Sequence, residues 1–255
     1  MQSEPADPID ADRLQALLDG VEGWLHFDEA EALFSMVAGT PQDGRPISVV
    51  EIGSWKGRST IAMAAALASS SGGGRVLAVD PHTGSVEHRA EYGAVDTFSE
   101  FCANIDRSGL GAFIEPVRRP SHEARPLVPD RSVDSLFIDG SHEYADVLQD
   151  IDDWVSSLRP GARVAYNDAS WPGVYRALRE RVVRRGTPYR NPRLVRSTLF
   201  VEYDPSSPFD GPQKLRWSIL AATLAARRAA NGFVPYLPER LKSWANSATA
   251  LLAGR

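Results

Sequence analysis

"VVEIGSWKGRST", residues 49–60, decides how the chain is read. Apolar residues lead to Glu51, a glycine follows at Gly53, and a helix-forming run starts near Gly57. The stretch reads as strand, tight turn, helix. Gly53 permits a turn that a Cβ would obstruct. Gly57 would let a ligand approach the helix N-terminus, whose free N–H groups suit an anion or a carboxylate. A dinucleotide loop needs G-x-G-x-x-G, but Trp55 stands at its second glycine. A P-loop needs G-x-x-x-x-G-K-[ST]; here the spacer is one residue short and Arg58 replaces the lysine. The pattern that fits unedited is E-x-G-x-x-x-G. A plain βα turn that binds nothing can also carry an acid followed by a glycine.

Outward from this stretch, short β-rich runs alternate with helical patterns. The strands are "ISVVEI" (47–52), "RVLAVD" (75–80), "AFIEPV" (112–117), "VDSLFID" (133–139), "ARVAYND" (162–168) and "STLFVEY" (197–203). Helical runs such as "GRSTIAMAAALASS" and "YADVLQDIDDWVSSL" lie between them, and "RPG" at 159–161 marks a tight approach to the fifth strand. Alternation of this kind predicts right-handed βαβ crossovers and a mostly parallel sheet with helices on both faces. Ligands of such sheets bind beyond the carboxyl ends of the strands. Glu51, Asp80, Asp139 and Asp168 all fall at or beside those ends.

The division expected is 1–44, a helical segment; 45–203, the α/β domain; and 204–255, a helical extension. Two short helices are read in 10–40, and two in the tail on either side of "NGFVP". The first tail helix has an apolar stripe (Trp217, Leu220, Leu224) that suits packing on the core or on a second copy, so a homodimer through the terminal helices is one expectation. Hydrophobic residues are 43% and charged residues 24% of the 255, an ordinary balance for a chain that buries a core. A net charge of -5 argues against a nucleic-acid partner. The acidic start "MQSEPADPIDADR" does not resemble a signal peptide, no apolar run is long enough to span a membrane, and the single Cys102 suits a reducing cytoplasm.

Asp80, ending the second strand, suits a pair of ribose hydroxyls; its bland role is a helix cap. Asp139 and Asp168 end adjacent strands, so their carboxylates can converge on a hard cation such as Mg²⁺. His142, one turn on from Asp139, can then accept a proton from a hydroxyl. A surface or structural histidine is the bland alternative. His82, His88 and His122 lie in connections near the strand ends; one of them can reach the substrate, and the sequence does not choose which. Trp171 and Tyr175 suit either packing or stacking on a sugar ring.

Taken together, "VVEIGSWKGRST", "LAVDPHTG", "LFIDGSHEYADVLQDIDDW" and "RPGARVAYNDAS" resemble the class I S-adenosylmethionine-dependent O-methyltransferases. The likeness covers roughly residues 27–203. It is greatest to the metal-dependent sugar O-methyltransferases of actinobacterial macrolide and mycobacterial polysaccharide pathways. The resemblance implies a Rossmann-like, seven-stranded fold with an N-terminal helical lid. It implies S-adenosylmethionine held by Glu51, Gly53, Ser54, Gly57, Ser59, Asp80, Ser121 and Asp139. It implies Mg²⁺ or Mn²⁺ on Asp139, Asp168 and Asn167, with His142 as base and a small-molecule or oligosaccharide acceptor. Asn167 stands where relatives carry an acid. A catechol-type phenolic methyltransferase and a non-catalytic nucleotide-binding or assembly protein are the alternatives.

Overall fold

The computed structural model describes residues 9–41, 43–85, 89, 93–183 and 187–233. The second tail helix and His88 lie outside the described residues. Two helices come first, α1 (Ala11–Leu18) and α2 (Phe27–Ala38). Then follow β1 (Ile47–Ile52), α3 (Arg58–Ala68), β2 (Gly74–Val79), α4 (Phe98–Ser108), β3 (Ile114–Val117) and a single turn, α5 (Ser121–Ala124). The chain continues through β4 (Val133–Ile138), α6 (Tyr144–Trp154), β5 (Leu158–Tyr166), α7 (Pro172–Arg181), β6 (Tyr189–Val195), β7 (Thr198–Tyr203) and α8 (Gly211–Phe233).

The seven strands lie in the order β3-β2-β1-β4-β5-β7-β6, with β1 to β5 parallel and β7 antiparallel to both its neighbours. Every residue of β4 is buried, as a central strand covered on both faces requires. One core lies under α1 to α4, with Leu33, Ile61, Met63 and Phe101 at its centre. The other lies under α6, α7 and α8, around Trp154, Leu178 and Trp217. The stripe Trp217, Leu220, Leu224 is buried there, against the chain's own sheet. No helix of the described residues is long and apolar enough to cross a membrane.

The sequence order reverses between β1 and β4, so the crevice of this sheet opens beyond those two strands. Three differences from the sequence reading concern its edges. Strand β5 starts at Leu158, so Arg159-Pro160-Gly161 lies within it at a register shift rather than ahead of it. Residues 111–113 form a 3₁₀ turn, which shortens β3. Strand β6 is the one of the seven expected strands that the residue pattern did not place: Pro192 cannot donate to a ladder, and Asn191 takes φ 50° where the register shifts. An edge position tolerates both.

Candidate active site

The carboxyl ends of the central strands are tied together by main-chain bonds. Gly53 N–H donates to Val79 O (2.9 Å), Asp139 N–H to Ile52 O (2.8 Å) and Asn167 N–H to Ile138 O (3.0 Å). Gly53 has φ +85°, and a Cβ there would lie 2.2 Å from the carbonyl oxygen of Asp139. Glycine is therefore required where the first loop crosses the fourth. Gly57 also has positive φ, but the space over it is filled by Phe101 and Ile105 of α4, 3.3 Å from a hypothetical Cβ. That corrects the expectation for Gly57: it admits a packing helix and does not border the crevice.

Glu51 is fully buried beneath the loop, and the hydroxyls of Ser59 and Thr60 donate to its two oxygens. Burial pushes its pKa up to about 7, against the two hydroxyl bonds that hold it down. It does not border the crevice; it fixes the first turn of α3 to β1. Asp80 does border it. One carboxylate oxygen accepts the N–H groups of Ser54 and Trp55 (2.8 Å each), and the other accepts His82 N–H (2.6 Å). Each oxygen has two lone pairs, so acceptor capacity remains on the carboxylate beside the crevice.

The crevice has two connected lobes, of about 330 and 420 Å³, which share Gly53, Trp55, Ser85, Asp139 and Gly140. The first runs past Asp80 to Ser121, His122 and Asp150. The second reaches Ser54, Ser59, His142, Asn167 and Asp168, and is bordered by Glu22 to Leu25 of the α1–α2 connection. Trp24 and Trp171, 61% and 42% exposed, stand on its walls with Trp55. The Trp24 and Trp55 rings are 5.4 Å apart, and the His142 ring lies 4.4 Å from Trp171. Among the described residues bordering this lobe, Arg58 is the only lysine or arginine. Its Nε and Nη1 donate to the carbonyls of Leu18, Val21 and Leu25 (2.8–3.0 Å).

Ligand atoms of Asp139, His142 and Asp168 all lie within 4.8 Å of one another. His142 Nε2 is 3.2 Å from Asp168 Oδ2. Burial, and then the negative charge of Asp168, hold the Asp139 carboxyl well above the usual carboxylate range. Asp168 adopts φ 49° at the turn that follows β5. The Asn167 amide bridges Asp139 Oδ1 (2.9 Å from Nδ2) and Thr198 Oγ1 (2.7 Å from Oδ1), beside the two acids. Thr198 and Ser197 are held in turn by the buried Glu29 of α2. His82 is not the one placed to reach a substrate: it is buried between Phe98 and Phe101 and bonded to Thr97 Oγ1 at 2.9 Å. Tyr175 packs in the second core.

The sequence reading overlooked Trp24, Trp55, Glu29 and Asp150. Asp150 left a signal: it falls on the apolar stripe Val147, Ile151, Trp154 of α6, where a carboxylate is out of place. Glu29 likewise sits on the buried face of α2.

Residues 50–169, the segment holding the first loop, both acids and His142, match the family described as "Methyltransferase domain". This segment is similar to methyltransferase domains. An uncharacterised Sinorhizobium fredii protein, y4gI, is 32% identical over 124 residues, which cover 49% of the present chain and 13% of that protein. The chain thus matches only about one-eighth of that relative's length. The O-methyltransferase NovP superposes with a TM-score of 0.58 at 16% identity, over 70% of the present chain and 80% of its own. An O-methyltransferase from Bacillus cereus, solved in complex with SAH, gives 0.50 at 17% identity, over 77% and 93%. At these identities the likeness is one of fold.

Proposed function

We propose that the protein transfers the methyl group of S-adenosylmethionine to a hydroxyl of an uncharged sugar. The observation that carries this reading is the meeting of Asp139, His142 and Asp168 at the junction of the two lobes. A cofactor lying past Asp80 would present its methyl group there. The product-type ligand of the Bacillus cereus enzyme supports the choice of cofactor. The second lobe supports the choice of acceptor. Its tryptophan faces suit the apolar C–H face of a pyranose, and Arg58, engaged with carbonyls, is poorly placed to hold a phosphate. The α1–α2 connection acts as a lid on this lobe. The lone Cys102 suits a reducing, cytoplasmic setting.

In the transfer, the acceptor oxygen attacks the methyl carbon, the C–S bond breaks, and the sulfonium becomes the neutral thioether of S-adenosylhomocysteine. The hydroxyl proton passes to the His142 imidazole. Asp168, 3.2 Å from its Nε2, stabilises the imidazolium that forms. A divalent cation, Mg²⁺ or Mn²⁺, fits the donor set: the carboxylates of Asp139 and Asp168 end neighbouring strands and lie within 4.8 Å of each other. Asp139 and Asp168 would hold it, with His142 within reach. When bound, such an ion lowers the pKa of a hydroxyl beside it. The residues of the chain supply the rest: the tryptophans orient the sugar ring beside the junction.

The cofactor assignment is tested by thermal unfolding. S-adenosylhomocysteine at about 100 times its Kd should add roughly 2.7 kcal/mol and raise Tm by several degrees. An unchanged Tm at millimolar ligand would contradict the assignment.

A further inference from the structure

The first lobe holds a buried acid that the transfer step does not use. Asp150 is 8% exposed and borders the lobe beside Ser121, Gln149 and Asp146. It occupies a core position on α6, and burial pushes its pKa up to about 6. A buried carboxylate is costly unless something donates to it. The Ser121 oxygen accepts the indole N–H of Trp154 at 2.8 Å, and Ser121 and Asp150 border the lobe together. The acceptor facing the lobe at this end is the carboxylate.

Position along the crevice says what would meet it. The reacting methyl belongs at the Asp139–His142 junction, and the ribose belongs at Asp80, whose carboxylate borders the lobe. The base then falls at the remaining end, beside Ser121 and Asp150. Adenine presents there an exocyclic amine that needs an acceptor.

We propose that the Asp150 carboxylate accepts a hydrogen bond from the N6 amine of the cofactor's adenine and so selects adenine over a 6-oxo purine. This rests on the reading of the crevice as an S-adenosylmethionine site. A 6-oxo base would set a carbonyl oxygen against the carboxylate, leaving both without a proton between them.

Calorimetry at pH 8 with S-adenosylhomocysteine and S-inosylhomocysteine, on wild type and Asp150→Asn, tests it. Wild type should prefer the adenosyl compound by roughly 100-fold. In Asp150→Asn the amide keeps one acceptor oxygen, while its N–H₂ can turn to a 6-oxo group. The variant should therefore bind the inosyl compound at least about tenfold more tightly than wild type does, and the discrimination should fall to within about tenfold. Damage to the fold weakens both ligands and cannot produce that gain. An unchanged ratio, or an equal loss for both compounds, overturns the assignment of Asp150. A wild-type protein that binds neither compound overturns instead the cofactor reading beneath it.

Discussion

Replacing His142 by glutamine should lower kcat by roughly 10²- to 10⁴-fold, the usual contribution of a positioned base. The imidazole is placed for this by two contacts: its Nε2 lies 3.2 Å from Asp168 Oδ2, and its ring lies 4.4 Å from Trp171. An aliphatic hydroxyl is a weak acid, so its proton needs a destination as the C–O bond forms. Affinity for S-adenosylhomocysteine should change little, because that lobe does not include the imidazole. The single-turnover rate of wild type should rise with pH as the imidazole loses its proton, since only the neutral ring accepts one. That limb of the profile should vanish in His142→Gln. A phenolic acceptor could stack on the same tryptophans, but a phenol gives up its proton readily. Near-normal rates in the variant with a phenolic acceptor would favour that substrate class.

Removing divalent cations should abolish transfer while leaving S-adenosylhomocysteine bound. The physical reason lies in the acids themselves. Asp139 and Asp168 lie together at the half-buried junction, and two close carboxylates resist joint ionisation. A dication held by them would relieve that repulsion. Treatment with EDTA followed by gel filtration should reduce kcat to background, and Mg²⁺ or Mn²⁺ should restore it. Full activity after verified metal removal would leave the His142–Asp168 pair as the whole proton-transfer device. Calorimetry on the stripped protein separates the two roles, because the polar contacts of the first lobe do not require the ion.

Much of this site is legible in the sequence because it hangs on strand ends. Alternation of strands and helices places Asp80, Asp139 and Asp168 at one edge of the sheet, and Gly53 must be glycine where two loops touch. What the sequence hides depends on partners far away along the chain. The surroundings of Asn167 come from Thr198, about thirty residues on, and from Glu29 of the N-terminal segment, which shares that hydroxyl. Gly57 and His82 looked like ligand-facing residues, yet Phe101 of α4 fills the space beside both. Trp24 sits in a connection with no periodicity to read, so only the fold brings it to Trp55. Strand β6 was obscured by Pro192, which an edge strand tolerates and a central one would not.

The most direct test of the account is the chemical nature of a transferred methyl group. Wild type and His142→Gln would be incubated with Mg²⁺, methyl-labelled S-adenosylmethionine and a neutral methyl mannoside or methyl glucoside, and the product treated with alkali. The expected result is label in an alkali-stable methyl ether on the sugar, formed by wild type and strongly reduced in His142→Gln. Label absent from both sugars, released by alkali as from an ester, or transferred equally by the variant would contradict the account.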